Sequence, residues 1–203
     1  MIGIIDYGLG NLRSVSGAVA KVGFESVITD NVDTLRKADK LILPGVGAFG
    51  DGMKNLQERK LIDPLTQMVV REKKAILGIC LGAQLFAKSS EEFGYHGGLG
   101  WIDAQVVRLN PEGGLRVPHV GWNECIQLKS SPIFEGIPKD ALFYYVHSFY
   151  IAGNDPKLVI GQCDYGMKVT SAVQQGNIYA TQFHPEKSQQ YGLQLLKNFI
   201  TLC

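Results

Sequence analysis

The chain has 203 residues, 20 basic against 19 acidic side chains and a formal net charge of +1; 45% of it is hydrophobic and 19% charged. These values suit one well-filled core and leave no global field to draw in nucleic acid or an anionic membrane surface, so neither is expected as a partner. Met1-Ile2-Gly3-Ile4-Ile5-Asp6 has no basic n-region, and no apolar run nears the roughly 20 residues of a membrane span, so a cytoplasmic location is expected.

The first half alternates short apolar runs with helical patterns. Ile2 to Ile5 reads as a buried strand, Leu12 to Val22 as a helix capped by Asn11, Ser26 to Thr29 as a strand, Val32 to Ala38 as a short helix and Lys40 to Leu43 as a strand. A helical region from about Asp51 to Lys73, interrupted near Pro64, leads to a strand at Ala75 to Ile79 and a helix at Ala83 to Ser90. That order predicts an α/β fold: a three-layer, open, mostly parallel sheet with helices on both faces. Beyond Gly94 the pattern changes to strand-like runs at Trp101 to Leu109, Ala141 to Phe149, Leu158 to Cys163, Thr170 to Gln174 and Ile178 to Phe183. Turn residues between them predict antiparallel additions in the C-terminal half, closed by a helix over Tyr191 to Leu202. With no repeat or linker, residues 1–203 are expected to form a single domain.

None of the four cysteines (Cys80, Cys125, Cys163, Cys203) forms a C-x-x-C pair, and their spacing does not resemble a zinc site; no metal is expected and reduced thiols are. Gly78-Ile79-Cys80-Leu81-Gly82 lies where a strand passes into a helix, a nucleophile elbow with cysteine in place of serine. The helix would aim its free N–H groups and positive dipole end at the sulfur, favouring thiolate and offering an oxyanion donor at Leu81. A buried structural cysteine is the bland alternative, but packing alone is expected to have no use for both glycines. With an ordinary surface turn at His-Pro-Glu as the bland alternative, His184 is the candidate base, at the end of the strand Ile178 to Phe183. Pro185 keeps it extended, so that the carboxylate of Glu186, two residues on, can meet the imidazole and orient it. A zinc-deaminase reading of H-x-E fails because no P-C-x-x-C follows.

Gly45-Val46-Gly47-Ala48-Phe49-Gly50 is a literal G-x-G-x-x-G, yet it follows the third strand and lacks the downstream acid of a dinucleotide site. It reads better as a backbone loop whose N–H near Gly47 completes an oxyanion hole with Leu81, with a plain turn as the bland alternative.

Together these pieces resemble the class I (triad) glutamine amidotransferases, nearly end to end, and within them the glutaminase subunits of imidazole glycerol phosphate synthases. Carrying the resemblance are Asp6-Tyr7-Gly8-Leu9-Gly10-Asn11, Pro44-Gly45-Val46-Gly47, Gly78-Ile79-Cys80-Leu81-Gly82-Ala83-Gln84, Pro118-His119-Val120-Gly121-Trp122-Asn123, Tyr144-Tyr145-Val146-His147-Ser148 and His184-Pro185-Glu186-Lys187-Ser188. The resemblance implies a flavodoxin-like fold, Cys80, His184 and Glu186 as catalytic triad, and Gln84 and Ser148 as contacts for L-glutamine. It also implies Asn11, Trp122 and Lys187 on a docking face and Tyr144 at an ammonia exit. The implied partner is a (β/α)8-barrel cyclase bound as a heterodimer, with no metal or organic cofactor. The same chemistry in a paralogue supplying ammonia for surface-sugar biosynthesis, and a non-catalytic nucleotide-binding module built on the glycine loop, are the two rival readings.

Overall fold

The computed structural model describes residues 1–153 and 155–203. Its elements, in chain order, begin β1 (Ile2–Ile5), α1 (Leu12–Lys21), β2 (Ser26–Thr29), α2 (Val32–Lys37), β3 (Lys40–Gly45), α3 (Phe49–Glu58), α4 (Ile62–Thr66), β4 (Ile76–Cys80) and α5 (Leu81–Gln84). The second half holds β5 (Ser89–Ser90), β6 (His96–Gly97), β7 (Ala104–Arg108), β8 (His119–Glu124), β9 (Ile126–Gln127), β10 (Leu142–His147) and β11 (Phe149–Gly153). It ends with β12 (Val159–Asp164), β13 (Lys168–Gln175), β14 (Ile178–Thr181) and α6 (Gln189–Leu202).

Eight strands form the main sheet in the order β2-β1-β3-β4-β14-β13-β12-β9. The first five are parallel and the last three antiparallel, as the α/β reading with C-terminal additions anticipates. β1, β4 and β14 are buried along their whole length, which is why they read as unbroken apolar runs rather than alternating ones. Alternation decides which face each side chain enters. Ile42 packs with α1 and α6 through Val19 and Phe199, whereas Leu41 and Leu43 pack on the other face with Leu35 of α2 and Leu56 of α3. Helices therefore cover both faces. A four-stranded sheet, β11-β7-β5-β6, and the ribbon β10-β8 complete the molecule.

Helix α6 anchors the segment before it. Leu195, Leu196 and Phe199 are fully buried, each side chain contributing roughly 1.5–3 kcal/mol. The Lys40 ammonium donates to the Phe199 and Ile200 carbonyls at 2.9 and 2.8 Å, satisfying acceptors the last turn leaves open.

Four expectations need correction. The helical region at 51–73 breaks at Lys60, which has φ +57°, and not at Pro64, which sits in the first turn of α4 where a missing N–H costs nothing. The helix expected over Ala83 to Ser90 is only the four residues of α5. Its continuation is pre-empted because the carbonyls of Leu85, Phe86, Ala87 and Lys88 accept N–H groups from residues 98–102. Strand β8 is absent from the sequence reading; it holds a glycine at φ +141°, and its two large apolar residues, Val120 and Trp122, are exposed, so it carries little apolar alternation. The run Ala141 to Phe149 divides at Ser148 into β10 and β11, which belong to different sheets. Among the described residues no helix is long and apolar enough to cross a membrane.

Candidate active site

Cys80 ends β4 with φ +54° and ψ −113°, a conformation costing about 1–3 kcal/mol for a residue with a β-carbon. The strain sits on the cysteine itself. Gly78 and Gly82 are there for packing, contrary to expectation: a β-carbon on Gly78 would lie 2.6 Å from the Ala83 Cα, and one on Gly82 would overlap the Leu43 carbonyl. Strand β3 thus passes close under the turn, with Gly45 in register with Cys80. Because α5 is one turn long, the dipole expected from a longer helix shrinks to the N–H groups of that turn. Cys80 is 7% exposed, and all four cysteines are free thiols.

β14 pairs with β4 in parallel, and the chain leaving it delivers His184 to the same end of the sheet as Cys80. His184 Nδ1 lies 2.8 Å from Glu186 Oε1, with both side chains 2% exposed. The contact is as expected but the route is not. Pro185–Lys187 is a 3-10 turn, so His184 and Glu186 meet around a turn instead of along an extended segment. Burial disfavours the imidazolium, but hydrogen bonding and charge from Cys80 and Glu186 outweigh it and push the ring up to about 9 from 6.5. His184 Nε2 is buried without a hydrogen-bond partner, and His184 and Cys80 line the same cavity.

Ser188 holds this turn to β10. Its hydroxyl donates to the His184 carbonyl at 2.6 Å and accepts the Tyr144 N–H at 3.0 Å, while the His184 N–H donates to the Tyr144 carbonyl at 2.9 Å. Lys187 Nζ lies 5.7 Å from the centre of the Tyr144 ring, and Trp122 meets that ring edge-on at 5.9 Å. Trp122, Tyr144 and Lys187 are thus brought together, with Trp122 45% exposed. Asn11 is exposed at the start of α1, where its side chain accepts the Ser14 N–H at 3.3 Å; no described contact joins it to the aromatic cluster.

A cavity opens at Cys80, and Val46, Gly47, Leu81, Gln84, Glu92, His147, Ser148 and His184 also line it. Gly47, at φ +108°, and Leu81 therefore border the same cavity as Cys80. Both side-chain N–H bonds of Gln84 are committed, to the Phe149 carbonyl at 2.8 Å and to Gln182 Oε1 at 3.0 Å, so only its oxygen remains for a ligand. Glu92 escaped the sequence reading because nothing in Glu91-Glu92 marks it. One of its oxygens accepts the Phe49 N–H at 2.7 Å, holding the carboxylate at the cavity wall.

A family model described as Glutamine amidotransferase class-I matches residues 3–203. The chain belongs to the class I glutamine amidotransferases. Among relatives of this amidotransferase, the imidazole glycerol phosphate synthase subunit HisH 1 of Campylobacter jejuni is 49% identical over 202 residues, covering 100% of both chains. HisH 2 subunits of the same synthase from Pseudomonas aeruginosa and Methanococcus maripaludis are 45% and 46% identical, covering 100% and 98% of each chain. The fold recurs in PurLQS from Thermotoga maritima, with a TM-score of 0.76 at 18% identity over 98% of this chain and 96% of that one. A glutamine amidotransferase from the same organism gives a TM-score of 0.64 at 16% identity, over 91% of this chain and 75% of that one.

Proposed function

We propose that residues 1–203 form one glutaminase domain that hydrolyses L-glutamine and passes the ammonia to a (β/α)8-barrel cyclase, as the glutaminase subunit of an imidazole glycerol phosphate synthase in histidine biosynthesis. The observation that carries the reading is the alignment at one sheet end of a strained, cavity-facing thiol, a buried imidazole and a buried carboxylate. Full-length relatives named as HisH subunits support the histidine pathway over the surface-sugar alternative.

In this mechanism the Cys80 thiolate attacks the side-chain amide carbon of glutamine and the His184 imidazolium gives its proton to the departing ammonia. Backbone N–H groups at Gly47 and Leu81 face the developing oxyanion. Water, deprotonated by His184, then attacks the thioester, releasing glutamate and restoring the thiolate. Glu186 holds Nδ1 protonated, so that Nε2 is the nitrogen that exchanges protons with sulfur, ammonia and water. The substrate's ammonium group needs anionic or carbonyl partners, which Glu92 and the free oxygen of Gln84 provide. Ser148 lies where it can meet the carboxylate. Released ammonia is useful only while unprotonated, so it must leave without meeting bulk water. The Trp122, Tyr144 and Lys187 cluster, one hydrogen bond from His184 through Tyr144, is the proposed exit and docking surface, with Asn11 at its margin.

The test is glutamate release by the protein mixed with its cyclase, compared with Cys80→Ala. Equal release from both proteins sinks the enzyme reading, and failure to complement a histidine auxotroph sinks the pathway.

A further inference from the structure

We propose that Gln182 is a dedicated hydrogen-bond donor to the Cys80 sulfur, holding the thiolate in its attack orientation. The inference rests on the reading of Cys80 as nucleophile and adds a residue to that site. Gln182 is 2% exposed, two residues before His184, and its Nε2 lies 3.7 Å from Cys80 Sγ. An amide side chain can be turned end for end, so the direction of this contact has to be argued from its neighbours. The Phe149 carbonyl can only accept, so the Gln84 atom 2.8 Å from it is the nitrogen. That same nitrogen lies 3.0 Å from the Gln182 side chain, which must therefore present its oxygen there. The amide nitrogen of Gln182 is left facing the sulfur. A chain anchored on a backbone carbonyl thus fixes an N–H toward Cys80.

The strand ladder does not use this amide. The backbone N–H of Gln182 already donates to the Ser171 carbonyl at 2.8 Å, continuing the β14–β13 ladder without help from the side chain. The second neighbour of the sulfur sharpens the argument. Sγ is 3.9 Å from the Val146 carbonyl, which can accept a thiol proton but repels a thiolate. Once the proton passes to His184, the Gln182 N–H becomes charge-assisted while the Val146 contact turns unfavourable. The sulfur is then drawn toward the amide, and its position changes with its charge.

The test follows alkylation of Cys80 by iodoacetamide against pH in the full chain, read by peptide mass so that Cys203 does not interfere. Glutaminase kcat and KM are measured alongside with the cyclase present. The ionisable groups that interact with the sulfur or share its cavity are His184 beyond β14, Tyr7 after β1, and His147 and Glu92 in the cavity lining, and none is altered. Gln182→Leu and Gln182→Met, which lack the donor, are expected to move the alkylation midpoint about one pH unit higher. They should lower kcat about tenfold, the effect of one hydrogen bond to a charged group, with KM within about twofold. Gln84→Met, which frees the Gln182 oxygen and lets the amide turn, should move the midpoint the same way by less. It also keeps the question answerable if the position 182 variants do not fold. An unmoved midpoint overturns the proposal, whether or not kcat falls. Absence of wild-type glutaminase activity, with the midpoint still moved, instead overturns the reading of the enzyme and leaves the sulfur contact standing.

Discussion

Replacing Glu186 by glutamine keeps the shape of the site and removes one charge. The carboxylate lies 2.8 Å from His184 Nδ1 with 2% of either side chain exposed, so solvent screens the pair little. Raising the imidazole from 6.5 to about 9 corresponds to roughly 3 kcal/mol of preference for the charged ring, shared between Cys80 and Glu186 after burial is overcome. Loss of a hydrogen bond to a charged group costs about 1.5–3 kcal/mol, or about 10- to 150-fold in rate if the imidazolium is needed in the transition state. Glu186 Oε2 is buried without a partner, so the new amide either leaves its NH2 group unsatisfied there or turns it toward Nδ1. The second arrangement forces the wrong tautomer and pushes the loss toward the upper figure. Steady-state glutamate release with the cyclase present should show kcat down by this factor and KM for glutamine unchanged, because Glu186 does not line the cavity. The alkaline edge of activity should also move to lower pH, since an imidazolium without its carboxylate loses its proton sooner. A kcat within about twofold of wild type refutes the orienting role.

Ser188→Ala leaves the Tyr144 N–H without its acceptor and should cost about 1–3 kcal/mol, measurable as a drop of several degrees in Tm; an unchanged Tm contradicts the clasp between β10 and the His184 turn. Gly47→Ala should fold, losing about 1–2 kcal/mol to its positive φ because the space beside it is empty, yet lose glutaminase activity. Gly82→Ala should fail to fold, since its β-carbon meets the Leu43 backbone; soluble yields of the two variants decide between them. Burial lowers His119 and His147 to about 4 from 6.5, so the unfolded chain binds protons the folded one refuses. The contribution of these two histidines should be full above about pH 6.5 and fall by as much as about 3 kcal/mol per histidine toward pH 4, opposed in part by His184, whose raised imidazole stabilises the fold fully below about pH 6.5 and less as pH rises toward 9. Urea unfolding at about pH 7.5 and about pH 5 checks this, and equal stabilities contradict it.

The parallel half of the fold was legible because β1, β3 and β4 are buried on both faces and hence continuously apolar, and each is followed by a segment of helical period. The thiol and the imidazole were legible for the same reason, since parallel neighbours β4 and β14 end together. The rest depends on partners distant in sequence. Helix α5 stops after four residues because backbone N–H groups from residues 98–102 take the carbonyls after it, a competition no local pattern records. Strand β8 forms because it pairs with β10, residue by residue from His119 with His147 to Glu124 with Leu142, although its own sequence shows little apolar alternation. Glu92, Gln182 and Ser188 are ordinary polar residues in the sequence, and only their positions against the cavity, the sulfur and the His184 turn mark them. The glycines around Cys80 admit β3 and α5 at close range, while the cysteine itself carries the strained dihedral, a division of roles that the G-x-C-x-G spacing does not reveal.

The most direct measurement is to incubate the protein and its cyclase with a glutamine analogue bearing an electrophilic carbon in place of the side-chain amide, then map the adduct by peptide mass spectrometry. One adduct, on Cys80, with glutamate release lost in proportion to its formation and labelling abolished by excess glutamine, is the predicted result. Inactivation with the adduct on another residue, or full labelling of Cys80 with glutamate still produced, contradicts the account.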